Sequence, residues 1–285
     1  MQIIIDANNL CYKNFYTLGG LSYKEEDTGI IFGFLSELLH LAKKFEARDF
    51  IFCWDSKKSY RKLIYPEYKV NRKDKSPEEL KSLSIAYKQF DLLRKEILPY
   101  LGFNNNFIQA GYEADDLMTY ISKQLSDKDK YNIIVSSDND MLQCMDKFTT
   151  IWNGKNRITP DSFIEEWKTS HYNWAYIKSI AGCSSDNVKG IEGVGELTAT
   201  KYMRGMLGKG KVFERIESKE GQEIIKRNRK LVELPYKGLR PINIELKNDN
   251  KEEKRFYSLF KKYGFNSFLG KDRFKEWVDK IIVAF

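Results

Sequence analysis

The chain opens with Gln2-Ile3-Ile4-Ile5-Asp6, a short apolar run that ends in a carboxylate. Two later apolar runs end in the same way, at Asp55 and near Asp138. Between the first two runs, Ile30–Phe45 carries apolar residues at helical spacing. Continuously apolar strands separated by helices are typical of a parallel sheet that is covered by helices on both faces. We therefore predict an α/β fold with a mainly parallel central sheet.

Composition narrows the class of protein and the kind of metal site. The chain has 285 residues, of which 42% are hydrophobic, so it can bury a full core without disulfides. Its four cysteines and two histidines are scattered, which excludes zinc fingers and ribbons and indicates free thiols in a reducing cytosol. No run resembles a signal peptide or a membrane span, so we expect a soluble, cytoplasmic protein with no membrane partner. Any catalytic metal would then need oxygen ligands.

Acidic residues collect where the predicted strands end. The carboxyl ends of parallel strands share one edge of a sheet, so Asp6, Asp55 and Asp138 should lie together, with Asp140 close by. A further cluster, Glu113–Asp116, opens a predicted helix. Taken singly, each aspartate is explained as a turn former or N-cap, and the cluster as acids stabilised at a helix N-terminus. Together they would repel one another unless cations lay among them, and Mg²⁺ and Mn²⁺ prefer such ligands. Two such ions about 4 Å apart are a common device for hydrolysing phosphodiesters.

A basic run follows the second strand. Between Lys57 and Lys75 there are eight Lys and Arg residues against Glu67 and Asp74, with three tyrosines interleaved. Cations for phosphates and rings for bases suit a single-strand-binding element. Composition alone slightly favours the other interpretation, a solvated, flexible basic loop.

The segment after the basic run predicts a helix start. Ser76-Pro77-Glu78-Glu79 supplies an N-cap, a first-turn proline and a capping-box glutamate. The apolar face of this helix would hold Leu80, Leu83, Tyr87, Phe90, Ile97 and Leu101. From about residue 160 the strand pattern is lost, which predicts short helices broken by glycines.

Six motifs in a fixed order resemble those of a known family. They are Ile5–Leu10 (IDANNL), Trp54-Asp55, Pro66–Arg72 (PEYKVNR), Gly111–Asp116 (GYEADD), Ser137–Asp140 (SDND) and Ser185–Gly195 (SDNVKGIEGVG). The set resembles the 5′ nucleases, which include the 5′ domains of bacterial DNA polymerase I and stand-alone phage flap endonucleases and RNases H. The resemblance covers about Gln2 to Phe268.

The resemblance implies a PIN-like nuclease core at residues 1–165, with a helical arch at about 57–100. It implies a helical DNA-binding region at residues 166–285, with a helix-hairpin-helix at about 185–205. The residues that would hold a first metal ion are Asp6, Asp55, Glu113, Asp115, Asp116 and Asp138. Asp140 and Asp186 would serve a second ion, and K⁺ would bind at the hairpin. Lys69 and Arg72 would act at the scissile phosphate beside Asp138, and Tyr68 would stack on a base. The implied DNA contacts are Arg61, Lys62, Tyr68, Lys69, Arg72, Lys73, Lys189, Gly190, Gly193, Gly195 and Lys201.

One position departs from the family pattern. Family members read Gly-Asp-x-x-Asp-Asn before the hairpin, whereas this chain has Cys183 at the first aspartate. A neutral thiol is a poor Mg²⁺ ligand. We therefore expect the second metal ion to bind more weakly, to prefer Mn²⁺ or to enter only with the DNA, with Cys183 packed as a small apolar side chain.

The predicted function is a structure-specific 5′ nuclease, a 5′→3′ exonuclease and flap endonuclease, that removes primers or flaps during DNA replication. Its partners would be DNA with 5′ flaps or 5′ ends, RNA/DNA hybrids, and a replisome or single-strand-binding protein; we expect a monomer. Two alternatives stay open. A junction-binding protein without catalysis would bind flap DNA but not cleave it, and a PIN-type ribonuclease would prefer single-stranded RNA.

Overall fold

A computed structural model describes residues 1–73, 75–125 and 130–283, without the side chain of Lys73. The strands in this part of the chain are β1 (Gln2–Asp6), β2 (Ser22–Tyr23), β3 (Glu26–Asp27), β4 (Asp49–Trp54), β5 (Asn106–Ile108), β6 (Asn132–Val135), β7 (Thr149–Trp152), β8 (Arg157–Ile158), β9 (Gly182–Cys183) and β10 (Val188–Lys189).

Helices make up most of the remainder. They are α1 (Ala7–Leu18), α2 (Gly29–Phe45), α3 (Arg61–Ile64), α4 (Pro77–Leu92), α5 (Leu98–Leu101), α6 (Ala114–Tyr120), α7 (Pro160–Trp167), α8 (Trp174–Ala181), α9 (Glu196–Met203), α10 (Lys211–Glu217), α11 (Lys219–Val232), α12 (Glu253–Lys262), α13 (Asn266–Leu269) and α14 (Lys271–Trp277). Short 3₁₀ helices lie at Val70–Lys73, Asn139–Cys144, His171–Asn173 and Ser184–Asp186, and π-helical turns at Leu93–Ile97, Ile121–Leu125 and Val278–Ile282. No helix in the described residues is long and apolar enough to cross a bilayer.

The central sheet has the strand order β5-β4-β1-β6-β7-β8. All neighbouring pairs are parallel except β7 and β8. Ile4 of β1 lies opposite Ile51 of β4 and Ile134 of β6, and all three are buried. Strands that are apolar at every position are buried on both faces, so the mainly parallel sheet predicted from these runs is confirmed.

Each face of the sheet carries its own hydrophobic core. Ile3, Ile5 and Phe52 point to the first core, which α1, α2, α4 and the helices α12–α14 cover. Ile4 and Ile134 point to the second core, to which α6, α8 and α11 contribute. Successive side chains of a strand face opposite sides, so one pentapeptide supplies both cores.

Both cores contain residues from either side of position 165. In the first core, Phe256 of α12 and Trp277 of α14 are fully buried, and Phe256 contacts Phe103 with ring centroids 6.2 Å apart. In the second core, Trp174 of α8 packs with residues of the sheet. Residues on the two sides of position 165 thus share both cores. The division of the chain into a nuclease core and a DNA-binding region at residue 165 stays a prediction.

Helix α4 begins as the sequence predicts. Ser76 Oγ accepts a hydrogen bond from the Glu79 amide at 3.2 Å, and Glu79 Oε2 accepts one from the Ser76 amide at 2.8 Å. The predicted apolar face is only partly buried, since Leu83 and Phe90 are buried whereas Leu80 and Tyr87 are exposed. The Tyr87 hydroxyl instead lies 2.8 Å from that of Tyr12 on α1.

The basic run contains one buried arginine. Arg61 is 1% exposed and donates to both oxygens of Asp116, at 2.7 and 2.9 Å. Arg61 Nε also donates to the Leu231 carbonyl at 2.7 Å, and the Tyr236 amide donates to Asp116 at 2.7 Å. The expectation that Arg61 contacts DNA is wrong, because its guanidinium is enclosed by these acceptors.

This buried ion pair generates a stability prediction. Arg61→Ala leaves the Asp116 carboxylate buried without its cation, so we expect the free energy of unfolding to fall by about 3–5 kcal/mol. Arg94→Ala is the matched control: its contact with Asp91 is partly exposed, and its loss should cost less than about 1 kcal/mol. Urea denaturation in the presence of chelator measures both, and equal losses would contradict the prediction.

Candidate active site

Three neighbouring strands end in aspartates at the same edge of the sheet. Asp6 ends β1, Asp55 follows β4, and Asp138 lies just beyond β6. Ser136 Oγ donates to Asp6 at 3.2 Å and accepts a hydrogen bond from the Asp138 amide at 3.2 Å. Asn8 Oδ1 accepts from the Asp55 amide at 2.9 Å. The predicted convergence of the strand-end acids is thus present.

Helix α6 brings further acids to this edge. The Ala114 amide in its first turn donates to Asp55 Oδ1 at 2.9 Å. Asp115 follows directly, and its Oδ1 accepts a hydrogen bond from the Asp116 amide at 2.7 Å. The first turn of α6 therefore lies against the end of β4.

Four carboxylates have no ion-pair partner among the described residues, and we call them the open acid group. Burial, followed by repulsion from Asp55, raises the pKa of Asp6 to about 7. Burial and then Asp116 hold the pKa of Asp115 well above its usual range, and burial also raises that of Asp55. Crowded acids that lack cations favour their protonated forms. The open acid group consists of Asp6, Asp55, Asp115 and Asp138.

The other predicted metal ligands are already paired with protein cations. Glu113 lies 2.7 Å from Lys69 Nζ and 3.6 Å from Arg61. Burial alone would raise the pKa of Glu113, but Lys69 and Arg61 outweigh it and lower the pKa to about 2. Asp186 lies 2.8 Å from Arg72 and 3.7 Å from Lys69. Asp116 is likewise paired with Arg61. Glu113, Asp116 and Asp186 therefore have protein cations as partners, whereas the open acid group does not among the described residues.

A thiol and two carboxylates form a compact set that we call the Cys183 group. The ligating atoms of Asp140, Cys183 and Asp186 all lie within 4.8 Å of one another. Burial, followed by Asp140, raises the pKa of the Cys183 thiol. Lys178 Nζ lies 3.1 Å from Asp140 Oδ1, and burial with Asp138 nonetheless raises the pKa of Asp140 to about 6.

The loop after α3 is docked onto the loop of the Cys183 group. The Lys69 amide donates to the Asp186 carbonyl at 2.8 Å, and Asn71 Nδ2 donates to the Ser184 carbonyl at 3.0 Å. Asn187 Nδ2 returns a hydrogen bond to the Glu67 carbonyl at 2.8 Å. These contacts fix the basic segment here, in place of the flexible loop that composition favours.

Comparisons with known proteins identify the family of this chain. Residues 1–168 match the family described as 5′–3′ exonuclease, N-terminal resolvase-like domain. A 5′–3′ exonuclease of Buchnera aphidicola subsp. Schizaphis graminum is 30% identical over 264 residues, which cover 91% of this chain and 85% of that protein. The chain belongs to the 5′–3′ exonuclease family.

Larger relatives and a solved structure extend the comparison. DNA polymerase I of Mycobacterium leprae is 29% identical over 255 residues, which are 82% of this chain but only 27% of the polymerase. The structure of T5 5′-exonuclease with bound zinc has a TM-score of 0.70 and 22% identity, covering 82% of this chain and 89% of that one. This likeness supports the predicted fold of the exonuclease family.

Tyr68 does not present its ring to a base, as the family resemblance had implied. It is 2% exposed, and its hydroxyl lies 2.9 Å from both Glu113 and Asp186. Its ring packs in a small cluster with Val188 and Leu231. Burial of the ring together with two acceptors for the hydroxyl excludes the predicted stacking in this structure.

The expected DNA-facing residues differ in their exposure. Lys62, Lys189 and Lys201 are exposed, Arg72 is half-exposed, and the side chain of Lys73 lies outside the described residues. A Cβ on Gly190 would lie 2.2 Å from the Ala181 backbone, so this glycine serves close packing between β10 and the end of α8. In contrast, a Cβ on Gly195 would meet nothing within 4 Å.

Sequence reasoning missed three polar residues of the site. Asn8 and Ser136 orient the strand-end aspartates, and their positions beside Asp6 and Asp138 were the available signal. Lys178 is 6% exposed and lies on the otherwise apolar face of α8. A single lysine on an apolar helix face indicates a buried ammonium, which needs an acidic partner inside the protein.

The raised pKa of Asp6 generates a pH prediction. The folded chain holds a proton on Asp6 up to about pH 7, whereas the ordinary value is 3.8. Between these values the folded state binds more protons than the unfolded state, so the free energy of unfolding falls as pH rises through about 7. In chelator, the wild-type melting temperature should drop more between about pH 5 and 7 than that of Asp6→Asn. Parallel profiles for the two proteins would contradict this assignment.

Proposed function

We propose that the chain is a divalent-metal-dependent 5′ nuclease that hydrolyses phosphodiesters near the junction of duplex DNA and a 5′ single strand. The observation that carries the proposal is the open acid group, four carboxylates at one sheet edge that have no ion-pair partner among the residues that the structure describes. Membership of the 5′–3′ exonuclease family supports the same reaction class.

The residues of the open acid group fit a hard divalent ion. Their carboxylates are short of positive charge, and Mg²⁺ or Mn²⁺ prefers oxygen ligands and retains several waters. Bound there, such an ion would make its water a better nucleophile and stabilise negative charge on the phosphoryl group. Divalent metal ions in the T5 5′-exonuclease structure support a metal in this fold.

Lys69 and Arg72 are the proposed phosphate-contacting cations. Both lie beside acids of the site, Lys69 Nζ at 2.7 Å from Glu113 and Arg72 at 2.8 Å from Asp186. A phosphate entering between them would compete with these carboxylates for the same N–H donors. Donors held where charge develops favour the transition state over the ground state. The products would carry a 5′-phosphate and a 3′-hydroxyl.

The exposed lysines supply a proposed duplex surface. Lys62, Lys189 and Lys201 would contact phosphates without reading sequence. The backbone at Gly193 and at Gly195, where a Cβ would meet nothing within 4 Å, would offer N–H donors, with K⁺ at this hairpin. In this proposal residues 1–165 hold the chemistry and 166–285 grip DNA. The cellular task would be removal of RNA primers or 5′ flaps by a monomer in the bacterial cytoplasm, beside a replisome or single-strand-binding protein.

A second ion at Asp140 and Asp186 fits the residues poorly. The Cys183 group has one neutral thiol where family members have a carboxylate, and both of its acids already contact protein cations. The proposed chemistry therefore uses the open acid group, and no step depends on the Cys183 group.

Cleavage of a 5′-flap DNA labelled at its 5′ end tests the proposed function. With Mg²⁺ or Mn²⁺ we expect flap-length fragments, which disappear with chelator and with Asp138→Ala. Asp161→Ala, which removes an exposed carboxylate of α7, is the matched control and should cleave normally. Binding without cleavage in either metal would replace this function with junction binding, and preference for single-stranded RNA would replace it with a ribonuclease.

Substitution of Lys69 separates chemistry from binding. Lys69→Ala should lower single-turnover cleavage by about 10²–10³-fold, because it removes a donor placed for the transition state. Lys62→Ala is the control for a phosphate contact and should mainly weaken binding, reducing the salt slope of affinity by about 1. If the two variants lose the same activity at saturating enzyme, Lys69 has no role in the chemical step.

A further inference from the structure

The Cys183 group looks like a metal site by distance alone. Its three ligating atoms lie within 4.8 Å of one another, and all three residues are buried. The chemistry of these three ligands does not favour a Mg²⁺ site. A neutral thiol is a weak ligand for Mg²⁺, and only two carboxylates remain to attract a hard ion.

The carboxylates of Asp140 and Asp186 both form ion pairs with lysine or arginine side chains. Arg72 lies 2.8 Å from Asp186 Oδ1, and Lys69 lies 3.7 Å from Asp186 Oδ2. Lys178 Nζ lies 3.1 Å from Asp140 Oδ1. The open acid group has no such partners among the described residues. In that part of the chain, protein cations therefore neutralise the Cys183 group but not the open acid group.

Lys178 is held in place as an internal cation. Its side chain rises from α8 and is 8% exposed, and its ammonium also lies 2.9 Å from Glu196 Oε1 in the first turn of α9. Burial alone would lower the pKa of Lys178, but Asp140, Cys183 and Glu196 together raise it above the usual value. A buried ammonium with two carboxylate partners stays charged and repels a divalent ion brought beside it.

We propose that Lys178 supplies from the protein itself the positive charge that balances the Cys183 group, so that the chain binds divalent metal only at the open acid group. This inference rests on the proposed function, because it concerns the metal requirement of the same nuclease site. Replacement of one carboxylate by a thiol and provision of one ammonium both reduce the negative charge there. Lys178 thereby acts as a positioning residue that keeps Asp140 and Asp186 ordered without a second ion.

Metal stoichiometry tests the inference without reference to cleavage. The full chain is titrated with Mn²⁺, and bound ion is counted by electron paramagnetic resonance and by calorimetry. We expect a single ion per chain, which is lost in Asp115→Asn and retained in Asp186→Asn. Two ions in the wild type, one of them lost in Asp186→Asn, would overturn the inference while leaving the proposed nuclease intact. No bound ion at all would overturn both, because the open acid group would then be empty.

A restoring pair of substitutions tests the role of Lys178 directly. Cys183→Asp together with Lys178→Leu should gain a second Mn²⁺, whereas Cys183→Asp alone should not, because the new carboxylate pairs with Lys178. Circular dichroism and melting temperature verify that each variant is folded. Gain of a second ion in Cys183→Asp alone would show that Lys178 does not exclude metal and would overturn the proposal.

Co²⁺ binding tests whether the Cys183 group holds a softer, thiolate-binding metal ion. If Cys183 bound a metal as thiolate, Co²⁺ would give a sulfur-to-cobalt charge-transfer absorption that disappears in Cys183→Ser. We expect no such absorption in the wild type. Its presence would mean that the Cys183 group is a site for a softer ion, and the role assigned to Lys178 would be wrong.

Discussion

Repulsion among carboxylates is the constraint on which the rest of the structure depends. The ends of β1, β4 and β6, the first turn of α6, and the loop after β9 bring acids to one sheet edge. The chain resolves their repulsion in two ways. Within the described part of the chain the open acid group has no ion-pair partner, and burial raises the pKa values of Asp6, Asp55 and Asp115. The remaining acids receive Arg61, Lys69, Arg72 and Lys178 as partners.

The cations come from two places that are remote in sequence. Arg61, Lys69 and Arg72 belong to the basic segment after β4, whereas Lys178 lies on α8. The basic segment is thereby joined to the second half of the chain through Asp186 and Leu231. A segment that composition would describe as a solvated loop is instead part of the electrostatic framework of the site. Lys62 and Lys189 remain exposed, and their ammonium groups are accessible to a polyanion such as DNA.

Much of the fold was predictable because its signals are local. Unbroken apolar runs identified buried parallel strands, and Ser76 to Glu79 identified the start of α4. The convergence of Asp6, Asp55 and Asp138 followed from strand direction alone. The burial of Arg61 and Tyr68 was not predictable in this way, because their hydrogen-bond partners lie 45 to 170 residues away in the sequence. The consequence of Cys183 was likewise hidden, since the cation that faces its group could be recognised only once α8 was placed against Asp140.

The contacts of Arg61 also order events during synthesis. Arg61 precedes its carbonyl acceptor at Leu231 by 170 residues, and Asp116 precedes the Tyr236 amide by 120. A ribosome that has released only the first half of the chain therefore presents Arg61 together with Asp116 but without the Leu231 carbonyl, and presents the first core without α12–α14. The acidic edge is completed only when residues 231–236 have emerged, and the sheet is closed only by α12–α14. The hydrogen bonds that enclose the Arg61–Asp116 pair, and the cover of the first core by α12–α14, therefore form only after residues 231–277 have been synthesised.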